Sequence, residues 1–152
     1  MRSVPAIAVG AWLGVMGFFA FIAAPAAFGT LEREAAGRFV SAVFPRYYLL
    51  GVALGLLALL GLLGDRVWSG GRPGDWLPTA LVLAMLAISC YAWLVVLPAA
   101  HTARESMRQG PPEATAASSA RFSRLHRLSA VLNGAVMLAA VAFVAIQAAR
   151  RP

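Results

Sequence analysis

Four stretches of the chain run without a charged residue, at 6–28, 47–64, 76–98 and 128–149. A helix needs about 20 residues to cross a hydrocarbon core of roughly 30 Å, so each stretch predicts one transmembrane helix. In the first, Trp12, Phe18, Phe19 and Phe21 supply bulk while Gly10, Gly14 and Gly17 supply flat surface. This run is longer than the apolar core of a cleaved secretory signal, so it is expected to be a retained span. The second is short and bracketed by Arg46 and by Asp65 and Arg66; the third holds Ser89 and Cys90, and the fourth holds Asn133 and ends at Arg150 and Arg151. Gly51 and Gly55, with Gly10 and Gly14, make two small-xxx-small pairs that let helix backbones approach, and these are expected to pack the bundle internally rather than to form a dimer face. The expected fold is all-α: one four-span domain over 1–152, an integral membrane four-helix bundle.

The polar connections differ in kind. Gly70, Gly71, Pro73 and Gly74 between the second and third spans predict a plain turn. Residues 30–44 predict a short amphipathic helix on the membrane surface, with Thr30 as its cap and with Glu32 and Glu34 in the first turn, where the helix dipole favours acids. Glu34 and Arg38 stand four apart, at ion-pair spacing, and Phe39, Val40, Val43 and Phe44 give an apolar side. Pro45 is expected to break this helix before Arg46, Tyr47 and Tyr48 enter the interfacial belt. Arg33, Arg38 and Arg46 are candidates for lipid or anion contact, either as anchors or as a pocket. The third span is expected to continue past a kink at Pro98, which places His101 and Glu105 four apart. Beyond Gly110, Pro111 and Pro112, residues 118–128 predict a basic helix whose Arg121, Arg124 and Arg127 are further lipid or anion contacts. His126, Ser129 and Asn133 form a polar strip running from it into the bilayer, and Ser129, Asn133 and Glu34 are assigned structural polar roles.

Composition agrees with the pattern. Hydrophobic residues make up 61% and charged residues 12%, against roughly 45–50% and 25% in soluble domains. The mean hydropathy of +0.75 excludes a disordered chain. All 13 basic residues are arginine and the net charge is +7. In so apolar a chain this charge is suited to anionic lipid headgroups, and no nucleic-acid partner is expected. Eight arginines fall on the side of the two charged connections and five on the other. The positive-inside rule then puts the charged connections in the cytoplasm and both termini outside, in a bacterial cytoplasmic (inner) membrane. The single cysteine, Cys90, allows no internal disulfide and no cysteine-only metal site.

The runs FGTLEREAAGRFVSAVFPRYY (28–48) and RFSRLHRLSAVLN (121–133) resemble the transmembrane protein 205-like family of small four-helix integral membrane proteins. The resemblance rests on the AGR-x5-FPxYY segment and the His-x2-Ser-x3-Asn strip. It implies a four-helix membrane bundle and a wider similarity to the copper-resistance-D-like group, some members of which bind copper or haem. It carries over no catalytic residue.

The expected function is that of a non-catalytic accessory or structural subunit of a larger membrane assembly, respiratory or photosynthetic, binding lipid, partner helices or a second copy of itself, with no cofactor. Alternatives stay open. His101 and His126, at the ends of sequential helices, could clamp haem iron or copper, with Cys90, Met85, Met16 and Met137 as a soft copper(I) path. A small-solute transporter would use Arg38, His126 and Asn133, and would need a polar cavity reaching Asn133. Ser129, His126 and Glu105 supply acid-base groups at one face without the spacing of a triad, and an enzyme is not expected.

Overall fold

The computed structural model describes residues 3–68, 76–109 and 112–149, the backbone alone for 112–114; the expected turn at 70–74, the pair Arg150 and Arg151, and Gly110 and Pro111 lie outside them. The described elements are all helical. They are α1 (Val4–Phe18), a π turn (Phe19–Ala23), α2 (Ala24–Thr30), α3 (Arg33–Trp68), α4 (Leu77–Tyr91), a second π turn (Ala92–Val96), α5 (Leu97–Gln109) and α6 (Pro112–Ala149). These join into four long apolar rods, Val4–Thr30, Arg33–Trp68, Leu77–Gln109 and Thr115–Ala149, each able to cross a membrane. The chain is a multi-pass membrane protein built as a four-helix bundle.

Three rods contribute stripes at helical spacing to a shared core, Ala8, Val9, Trp12 and Met16 from α1, Val82, Met85 and Leu86 from α4, and Val136, Ala140 and Phe143 from α6, and α3 adds Ala58. α1 packs on α3, α3 on α4, α4 on α6 and α6 back on α1, closing a ring. Apolar side chains also cover the outside, with Phe21 72% and Leu138 74% exposed; in hydrocarbon such a surface carries no penalty, and close packing rather than water exclusion holds the rods together. Gly51 and Gly55 serve that packing. A Cβ at Gly51 would lie 2.6 Å from the Trp12 Nε1, and one at Gly55 would lie 2.6 Å from Leu86 Cδ2 and 2.8 Å from Trp12 Cζ3. The other pair does not act as expected, since Gly10 and Gly14 are exposed and have nothing within 4 Å of a Cβ position.

Three local expectations are corrected. Of the stretch 30–44, residues 33–44 are helical and charged, but they form no separate surface helix: α3 runs unbroken through Pro45 for 36 residues, about 54 Å of rise, so its first turns stand beyond the hydrocarbon. Pro45 removes one backbone donor, yet the buried positions Ala36, Gly37, Tyr48, Gly51, Gly55 and Ala58 follow one stripe across it. Neighbour packing therefore holds both sides in register, and the Arg46 guanidinium donates to the Ala42 carbonyl at 3.0 Å in the affected turn. Thr30 does not cap α3. It closes α2, its hydroxyl donating to the Ala26 carbonyl at 2.7 Å, and Leu31 turns the chain in extended conformation. Nor does the irregularity of the third rod sit at Pro98; the helix continues through it, and the π turn lies just before. Both π turns end two residues ahead of a proline, Pro25 and Pro98, with Ala24 N–H donating to the Phe19 carbonyl and Leu97 N–H to the Ala92 carbonyl. One extra residue widens the turn that the proline ring would otherwise crowd.

Candidate functional site

Residues from α2, α3, α5 and α6 meet at one end of the bundle, where α3, α5 and α6 carry charged side chains. There the start of α3 meets the end of α5: Glu34 accepts from Arg38 at 3.0 Å, the pair that the spacing predicted, and from Arg108 at 2.8 Å. All three side chains are more than half exposed, so the pairs steer the helix ends more than they stabilise them. Deeper in, Arg104 reaches across from α5 to α3, and its Nη1 donates to the Gly37 carbonyl at 2.6 Å and to Ser41 Oγ at 2.8 Å. Ser41 itself donates to the Gly37 carbonyl at 2.8 Å. Gly37 is what makes room: a Cβ there would overlap the guanidinium.

Arg104 forms part of the wall of a cavity of about 740 Å³ between α2, α3, α5 and α6. Val40, Phe44, Val96 and Leu97 line the part nearer the spans, with Ser129 of α6 beside them, while Arg33, Glu34, His101, Leu125 and His126 also line it. A volume in the range of about 300–1,000 Å³, with an apolar lining and a few convergent polar groups, is that of a small-molecule or lipid-chain site.

Below the cavity the polar strip of α6 is closed off. Tyr47 donates its hydroxyl to Asn133 Oδ1 at 2.9 Å, Asn133 Nδ2 donates to the Ser129 carbonyl at 2.9 Å and to the Tyr48 hydroxyl at 3.3 Å, and Tyr48 shares a bond with Ser129 Oγ at 3.3 Å. Phe19, Phe44, Tyr47 and Tyr48 pack as one aromatic cluster beside it. Ser129 is on the cavity wall, but Asn133 is not, its amide being held by the two tyrosines. The polar path to Asn133 that a transporter requires is therefore filled by side chains. Asn133→Leu is expected to lower stability in detergent by about 0.6–1.7 kcal/mol, the range for hydrogen bonds between membrane helices. Unchanged unfolding on titration with denaturing detergent would show that the amide merely fills space.

The remaining candidates are spread out. Arg46 binds its own helix, while Arg121, Arg124 and Arg127 are exposed on α6 with no ion pair among the described residues. His101 and His126 both line this cavity, and the His126 ring lies near-parallel to Phe122 with centroids 6.2 Å apart. No group of three or more His, Cys, Asp or Glu side chains able to hold a metal occurs among the described residues. Glu105 is exposed and off the cavity wall. Met16 and Met85 are buried in the core and Met137 packs against it, each as an ordinary apolar residue, while Cys90 is half-buried. The sequence reading missed Arg104, Tyr47 and Tyr48 as site residues. A glycine at 37, inside a helix otherwise free to carry a side chain, was the one local sign of a close approach.

The model of the DUF4149 domain of unknown function matches residues 7–109. The chain belongs to the DUF4149 family. The family match covers α1 to α5 and so includes Gly37, Ser41, both tyrosines, His101 and Arg104, whereas the α6 wall lies beyond it. An Aquifex aeolicus relative that bears the name "Uncharacterized protein" is 47% identical over 51 residues, 33% of this chain and 39% of its own length. The alignment thus spans about two fifths of that relative. Neither finding names the transmembrane protein 205-like or copper-resistance-D-like groups. No solved structure matches.

Proposed function

We propose that this DUF4149 protein is a non-catalytic accessory protein of the bacterial cytoplasmic membrane that holds a lipid in the cavity at its charged end and packs against partner helices through its apolar flanks. The observation that carries the reading is the cavity itself, apolar on its membrane side and cationic toward its mouth. That gradient matches an amphiphile with its chain toward the membrane and its head outward. Of the groups that could do acid-base work, the Ser129 hydroxyl is engaged by Tyr48 and Glu105 lies off the cavity wall. The arginine excess at this end supports a cytoplasmic orientation, and the resemblance to the transmembrane protein 205-like family belongs to the same reading.

The test is to purify the chain from native membranes in mild detergent, extract it with organic solvent and weigh the retained lipids by mass spectrometry. Wild-type protein is expected to retain about one lipid per chain, as one cavity of this volume allows, and Leu125→Trp or Val40→Trp, which fill the cavity, should lose most of it. Equal retention in the filled variants would sink the lipid reading, and so would a Soret absorbance band, which would assign the histidines to haem. Migration of the native complex at the mass of this chain alone would remove the accessory role.

A further inference from the structure

We propose that the cavity selects a membrane phospholipid whose head carries a net negative charge, and that Arg104 is the residue that reads the charge; this rests on the lipid-holding reading above. Arg104 is half-buried, and both of its hydrogen bonds go to neutral oxygens, the Gly37 carbonyl and Ser41 Oγ. It makes no ion pair among the described residues. The nearby carboxylate on the cavity wall, Glu34, is already shared by Arg38 and Arg108 on the exposed side, so it leaves the Arg104 charge uncompensated. A guanidinium kept out of bulk water normally has an anion beside it, because desolvating a lone charge is costly.

The local architecture holds that charge in place. Gly37 gives the planar group a seat without a Cβ, and Ser41 orients it; both hydrogen bonds use Nη1, and Nη2 and Nε make none among the described residues. Arg33 shares the wall and makes no ion pair among the described residues, so with Arg104 it gives the mouth a guanidinium on both the α3 and the α5 side. From the guanidinium downward the wall turns apolar at Val40, Leu97 and Phe44. A phosphate with an acyl chain satisfies both halves of this lining; free phosphate satisfies the upper half alone. An Arg–phosphate contact is charge-assisted and often bidentate, which suits the half-free fork.

The experiment titrates the full chain, delipidated in neutral detergent, with phosphatidylglycerol and with phosphatidylcholine of the same acyl chains, and counts bound lipid by native mass spectrometry. Both lipids carry the phosphodiester, so the comparison reads the net charge of the head: wild-type protein is expected to prefer phosphatidylglycerol by about tenfold, because the choline ammonium is repelled by the guanidinium at the mouth. Arg104→Gln keeps amide donors and should bring the two lipids to near parity, while Arg104→Lys keeps the charge and should keep a preference. Arg124→Gln, on the exposed face of α6, should leave the preference unchanged and so separates the site from the general positive field. Inorganic phosphate should not displace the bound lipid, because it brings no chain. An undiminished preference in Arg104→Gln, an equal loss in Arg124→Gln, or displacement by phosphate would overturn the proposal. Equal binding of both lipids to the wild type overturns the charge selection alone, whereas binding of neither overturns the lipid reading with it.

Discussion

Gly55→Leu is expected to destabilise the bundle in detergent by about 3 kcal/mol, at the upper end of what overpacking costs. A side chain at this position runs into Leu86 from α4 and into the Trp12 ring from α1 at once, at 2.6 and 2.8 Å from its first carbon. Trp12 of α1 is buried, its ring lying over Gly51 and Gly55 of α3. The matched control is Gly14→Leu, where nothing lies within 4 Å and the position faces outward, so stability should hold. Tryptophan fluorescence during denaturing-detergent titration reads both. Equal effects at the two sites would mean that the glycine notch does not seat the indole.

Phe143→Ala carries the other large expectation. Its side chain is fully buried at the junction of α6 with the core residues of α1 and α4, and truncation leaves a void that rigid rods close poorly. The loss should be about 3–5 kcal/mol by analogy with buried aromatic truncations. Leu138→Ala removes a side chain that is 74% exposed on the same helix and should change stability little, since lipid replaces its contacts. The comparison asks whether internal packing or outward contact with hydrocarbon holds α6. If Leu138→Ala costs as much as Phe143→Ala, α6 is held from outside.

The four rods were legible in the sequence because charge is excluded from hydrocarbon, which leaves the span boundaries written as arginines and acids. Pro45 misled for a physical reason: in water a proline inside a helix is a strong stop, but between packed membrane helices its lost bond is tolerated, and the stripe from Ala36 to Ala58 continues through it. Glu34 and Arg38 were found because their contact is local, four residues apart along one helix. Arg104 was not, because its partners Gly37 and Ser41 lie more than sixty residues away and only the tertiary fold brings them together. Tyr47 and Tyr48 were assigned to the membrane interface by residue type. The structure shows them as partners of Ser129 and Asn133 on another helix, and periodicity on a single helix shows the strip without showing what faces it.

The two widened turns ahead of Pro25 and Pro98 set the phase of everything beyond them. An added residue shifts a helix face by about 100°, so the outer segments α2 and α5 present sides that an unbroken helix drawn through the spans would have aimed elsewhere. Loss of a single residue from Ala92–Val96 would therefore rotate His101 and Arg104 together, away from Gly37 and out of the cavity, without altering any side chain there. A length change in the middle of the third rod thus reaches the mouth as a rotation, and two relatives identical at the mouth but differing by one residue in that turn would present different walls to the same lipid.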